Sequence, residues 1–98
     1  MAGDPVTVAP HVYKTVLEND RVRVLEAGGS PGLNTGMHTH PNMVAIALTE
    51  TKMKFTFPGG ESAEVELKAG EVMYLDPVEH TVELLGSGEG RLILVELK

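Results

Sequence analysis

Within residues 32–40, GLNTGMHTH, His38 and His40 stand two positions apart with Pro41 directly behind them, and His80 follows forty residues later in GEVMYLDPVEHTVEL. Side chains alternate along a strand, so His38 and His40 should leave one face together. Two neighbouring imidazoles plus one distant imidazole are how a sheet pins a divalent metal, because neutral imidazole is the commonest nitrogen donor for such ions. The same residues also admit a plainer reading, as half-buried strand histidines whose nitrogens bond the backbone. The chain has no cysteine, so nitrogen and oxygen would supply every ligand.

The elements that must position these histidines are short strands. Pro5 and Pro10 push their predecessors out of helical torsions, so residues 1–11 read as an extended N-terminal arm. HVYKTVL is a short strand, and END at 18–20 turns it. RVRVLEA alternates, with Val22 and Val24 expected inward. The glycines and proline of 28–36 make a loop that feeds the histidine strand. MVAIALT is an unbroken apolar run, expected to be buried on both faces. KMKFTFP alternates clearly, with Met53, Phe55 and Phe57 on one face. PGG at 58–60 turns it into AEVELK, with Ala63, Val65 and Leu67 inward, so the pair forms a hairpin. EVMYLDP leads to a strand on which His80, Val82 and Leu84 share a face, and after GSGEG the chain closes with RLILVELK. Eight to ten short strands with no sustained 3.6-residue period predict an all-β sandwich or barrel, and a jelly roll suits two strand-histidine halves separated by a hairpin.

Ninety-eight residues give one domain spanning 1–98 with a single core. A formal net charge of −6 with only eight scattered Lys and Arg disfavours nucleic acid as a partner. No stretch approaches the ~20 apolar residues of a membrane span and the N-terminus carries no basic and apolar leader, so a cytoplasmic location is the expectation.

From about Val12 to Lys98 the sequence resembles the cupin superfamily, and specifically the short single-domain bacterial cupins with a double-stranded β-helix, or jelly-roll, barrel. Gly32, His38 and His40 fit the first cupin motif, G-x5-H-x-H-x(3 or 4)-E-x6-G. Gly70, Pro77 one place late and His80 one place early approximate the second, G-x5-P-x-G-x2-H-x3-N. The departures are specific. Val44 or Ala45 stands where the family has a glutamate ligand, and Thr51 or Glu50 replaces the closing glycine. Val78 and Glu79 replace the internal glycine of the second motif, and Leu84 its asparagine. The resemblance therefore implies a metal site of three histidines, His38, His40 and His80, without the glutamate.

Three neutral imidazoles leave the charge of a divalent ion uncompensated, favour an anionic ligand, and suit Fe, Ni or Zn better than Mg or Mn. Similar three-histidine iron sites occur in cupin-type thiol and diketone-cleaving dioxygenases, so the resemblance implies a metal-dependent dioxygenase acting on a small anionic or chelating substrate. The competing class is a non-catalytic small-ligand-binding or sensor cupin, with or without metal, because a short chain has little with which to build a lid. Met43, Ile46 and Tyr74 are the expected pocket residues, with Met37, Phe55, Val72 and Val82 beside them. Glu79 should face away from the site, Glu50 should be solvated, and His11 should lie on the surface. A homodimer is expected, because the apolar strand faces exceed what one small barrel buries and the arm could pair across a two-fold axis.

Overall fold

The computed structural model describes residues 3–98. Its elements are a single-turn helix α1 (Pro5–Val8) and nine strands: β1 (Tyr13–Glu18), β2 (Val22–Gly29), β3 (His38–His40), β4 (Met43–Ala47), β5 (Thr51–Thr56), β6 (Ser62–Leu67), β7 (Val72–Leu75), β8 (Val78–Leu85) and β9 (Gly90–Leu97). They form two antiparallel sheets, one ordered β1-β2-β9-β4-β7 and the other β3-β8-β5-β6. The first and last long strands pair over eight residues, from Val22 opposite Leu97 to Gly29 opposite Gly90. This is the all-β jelly roll that the turn spacing predicted.

Between the sheets lies one core, in which Leu25, Met43, Met53, Phe55, Val82, Leu84, Leu92 and Leu94 are buried. Each such side chain contributes roughly 1.5–3 kcal/mol by leaving water. The alternation of β5 holds as expected, with Met53 and Phe55 inside and Lys52 and Lys54 outside. That of β2 is shifted by one residue: Leu25 and Ala27 are buried, while Val22 and Val24 face outward, half-buried. A one-residue shift exchanges the two faces of a strand. Here it turns Arg23 inward, where its guanidinium meets the buried Glu96 of β9 at 2.7 Å. β4 is likewise buried on one face only, through Met43, Ala45 and Ala47. In β6, Leu67 is buried and Ala63 is exposed at the sheet edge.

Residues 3–12 correct the expectation of an extended arm; Met1 and Ala2 lie outside the described residues. Proline does hold its predecessor extended, and Asp4 has φ −66° and ψ 138°. That torsion is what an N-cap requires, and proline is favoured at the first helical position. Asp4 Oδ2 accepts the Val6 N–H at 3.2 Å and the chain turns into α1. The segment then lies against the histidine strand. Gly3 forms a parallel bridge with His38, and the Thr39 N–H donates to Gly3 O at 3.0 Å. Gly36 lets α1 approach, since a Cβ there would come within 2.9 Å of a Val8 methyl. The two motif glycines, Gly32 at φ 93° and Gly70 at φ 86°, occupy left-handed turns that favour glycine.

Candidate metal centre

β3 and β8 pair with His38 directly opposite His80, and His40 lies two residues further along the same face. All three imidazoles are buried to within 1 % of full burial. Their candidate ligating nitrogens all lie within 4.8 Å of one another. Ring centroids stand 4.8 Å apart for His38 and His40, 4.9 Å for His38 and His80, and 5.5 Å for His40 and His80, each pair edge to face.

The ring nitrogens are differently engaged. His38 Nδ1–H donates to Gly36 O at 2.8 Å, which leaves the Nε2 lone pair to accept the Tyr13 hydroxyl at 3.1 Å. His40 Nδ1–H donates to Glu96 Oε2 at 2.7 Å. Glu96 Oε1 in turn accepts Arg23 Nε–H at 2.8 Å, and Arg23 reaches Asp4 at 2.5 Å. Among the described residues, neither nitrogen of His80 has a hydrogen-bond partner. A buried donor or acceptor left unpaired costs about 1–3 kcal/mol, so such a group calls for an explanation.

Electrostatics disfavour the charged forms of His38 and His80. Burial, followed by the neighbouring His38 and His40, pushes the His80 imidazole down to about 3. Burial also lowers that of His38, against the opposing pull of the Gly36 carbonyl. Tyr13 is held protonated well above the usual phenol range, first by burial and then by the charge of Glu96. On the outer side, the hydrogen bond from Arg23 lowers the carboxyl of Asp4.

These residues fit a divalent metal. Three buried imidazoles converge, one has two orphaned nitrogens, and the other two have Nδ1 fixed by a carbonyl or a carboxylate, as metal-ligating histidines usually do. Beside them is a cavity of about 30 Å³, lined among others by Tyr13, His40, Met43, Ala45, Phe55 and His80. It has room for about one water.

Of the expected pocket residues, Met43 is buried and lines that cavity, with Phe55 and Val82. Ile46 and Tyr74 do not. Ile46 alternates with Ala45 and Ala47 and so faces out, and Tyr74 is 55 % exposed on β7, where its hydroxyl accepts from Asn42 Nδ2 at 2.7 Å. Period-two alternation forbids Met43 and Ile46 a common face, which a purely apolar run conceals. Val72 is exposed as well, and Met37 lies outside the cavity lining. Glu79 sits opposite Thr39, on the other face from His80, and Glu50 is exposed. His11 is exposed and bonds Asn34 O at 2.8 Å. Tyr13, Arg23 and Glu96 escaped the sequence reading. The signal lay in parity, because Arg23 and Glu96 occupy the inward positions of strands whose other inward residues are Leu25, Ala27, Leu92 and Leu94.

Two facing antiparallel sheets around that histidine cluster have the double-stranded β-helix fold of cupin domains. Among solved structures, the chain is similar to a cupin domain from Bordetella pertussis Tohama I, with 28 % identity over 89 % of this chain and 92 % of that one and a TM-score of 0.80. It is also similar to a conserved protein with a double-stranded β-helix domain from Klebsiella pneumoniae, with 20 % identity, 88 % and 75 % coverage and a TM-score of 0.70. An RmlC-like cupin from Methanocaldococcus jannaschii shares the fold at 15 % identity, 88 % and 78 % coverage and a TM-score of 0.69. No protein-family model and no curated protein matches the sequence. Among the described residues, no helix is long and apolar enough to cross a membrane.

Proposed function

We propose that His38, His40 and His80 hold a divalent transition metal, Fe, Ni or Zn, and that the centre serves a dioxygenase-type reaction on a small anionic or chelating substrate. The carrying observation is the pair of orphaned nitrogens of His80, buried against two further imidazoles. When bound, such a metal supplies Lewis acidity and open positions for exogenous ligands. The chain's own residues set the rest. Glu96 orients His40 and strengthens it as a donor, and Arg23 offsets the carboxylate charge. Metal analysis of untagged protein beside His80→Ala tests the site, with stoichiometric metal in the first and its loss in the second expected. Oxygen uptake by iron-loaded protein over a panel of chelating acids and enols tests the reaction; failure across the panel overturns it.

The cavity favours a second reading. Space for about one water suits a ligand-binding or sensor cupin whose interior opens only for its ligand. Tight ligand binding without turnover would select it.

The same reading takes the chain as a homodimer. Leu17, Val24, Val95, Val44 and Tyr74 are register partners across all five strands of one sheet, on its outer face, and Ile93, Ile46 and Val72 form the next row. At about 4.8 Å between strands, the first row runs about 19 Å. Two such rows reach the few hundred Å² that monomers seldom leave exposed. A second copy of this face is the proposed cover; the N-terminal segment, engaged with its own β3, is not.

A further inference from the structure

We infer that Tyr13 is the fourth protein ligand of the metal centre, its phenolic oxygen standing in for the absent glutamate. The inference rests on the three-histidine reading and deepens it.

Position is the first support. Two donors each about 2.0–2.1 Å from a shared ion lie about 2.9–3.4 Å apart, for angles between octahedral and tetrahedral. Tyr13 Oη and His38 Nε2 are 3.1 Å apart, and Nε2 is the nitrogen left with a lone pair because Nδ1–H is given to Gly36 O. The Tyr13 ring also lies edge-on to two of the imidazoles, 5.1 Å from His38 and 5.6 Å from His40. Its hydroxyl therefore lies against one donor nitrogen of the cluster, on a residue that is 5 % exposed.

Elimination is the second. Of the two β4 residues at the glutamate's place in the motif, Ala45 points inward but is too short to ligate, and Val44 alternates to the outer face. Glu96 is the buried carboxylate nearest the site, but Oε1 is taken by Arg23 and Oε2 by His40, so it orients a ligand rather than being one. Glu79 faces away beside Thr39. Tyr13 offers a buried oxygen in hydrogen-bond contact with His38, and β1 delivers it from the sheet facing the histidines.

In the metal-free chain the hydroxyl stays protonated; ligation as phenolate, with the cation's charge offsetting burial and Glu96, would replace the O–H bond by an O–metal bond and release one proton to solvent, leaving a site of net charge +1 for a divalent ion. Zn(II) or Fe(II) bound this way has one open position fewer than a three-histidine centre. Within the proposed reaction, that favours a monodentate anion beside dioxygen over a bidentate chelate.

The test uses the full chain, Tyr13→Phe and His80→Ala, each checked for folding by circular dichroism. Tyr13→Phe keeps the buried ring. Competitive Zn(II) titration should show affinity falling tenfold or more in Tyr13→Phe. Fe(III) added to the wild type should give a phenolate-to-iron charge-transfer band in the visible, absent from Tyr13→Phe. Metal bound by the wild type and lost in His80→Ala, with Tyr13→Phe equal to wild type in affinity and neither showing the band, would overturn the tyrosine ligand and leave the histidine site standing. A loss of affinity with no band in the wild type would make Tyr13 a hydrogen-bonding neighbour, which also overturns ligation. No metal in the wild type sinks both readings.

Discussion

Glu96 and His40 lie 56 residues apart in sequence and meet at 2.7 Å, the carboxylate accepting the Nδ1–H of the imidazole in a fully buried contact. Arg23, the register partner of Glu96, holds the other oxygen. A carboxylate in this place fixes the ring's tautomer, and it would be costly to bury without its two donors.

Glu96→Gln keeps the volume and removes the charge. Metal affinity should fall about 10–100-fold, the usual effect of losing such a partner. Glu96→Ala should in addition destabilise the fold by up to about 3 kcal/mol, the low end for breaking a buried pair, because Asp4 still faces Arg23. Competition titration and denaturant unfolding separate the two. Equal affinity in Glu96→Gln would remove the orienting role.

The metal-free protein should weaken in acid at mildly low pH. An unfolded histidine titrates near 6.5, whereas His80 is held down to about 3 and His38 is lowered, in both cases chiefly by burial. Between those values the unfolded chain binds more protons, so this stability is fully present above about 6.5 and declines as pH falls towards 3. The slope from His80 alone approaches about 1.4 kcal/mol per pH unit. Urea midpoints at neutral, mildly acidic and acidic pH should fall steadily in the wild type and less in His80→Phe. Parallel profiles would refute the assignment.

Gly36→Ala should loosen the N-terminal segment from the histidine strand, since the new methyl meets Val8 at 2.9 Å. Amide exchange at Thr39, whose N–H is bonded to Gly3 O, should quicken several-fold while exchange in β5 stays unchanged. Uniform acceleration would instead mean global destabilisation.

Tyr74→Lys places a charge in the outer apolar row while leaving the metal residues untouched. Sedimentation should show a dimer in the wild type and the 10.5 kDa monomer in the variant, with equal metal content. A monomeric wild type would remove the dimer, and metal loss in the variant would return Tyr74 to the site.

The histidine cluster was legible because its residues are rare, chemically distinctive and spaced at the period of a strand. Strand number and the β5–β6 hairpin were legible from turn chemistry and alternation. The polar support was not. Arg23 sits in RVRVLEA, where charge alternates as on any half-exposed strand, and only its pairing with Glu96 shows that Arg23 points inward. Likewise MVAIALT is apolar on both faces, so Ile46 cannot be told from Met43 until β4 is placed between β9 and β7. Tertiary pairing decided what local pattern left degenerate.

The β2–β9 ladder has a kinetic meaning too. It joins Arg23 to Glu96 across 73 residues, and contacts so distant in sequence are expensive in loop-closure entropy and form late. His38 and His80, by contrast, meet within the span that the β5–β6 hairpin shortens. The donor cluster can therefore gather before its carboxylate support arrives, and metal capture during refolding should begin weakly and tighten in a second, slower phase set by the closing of the last strand.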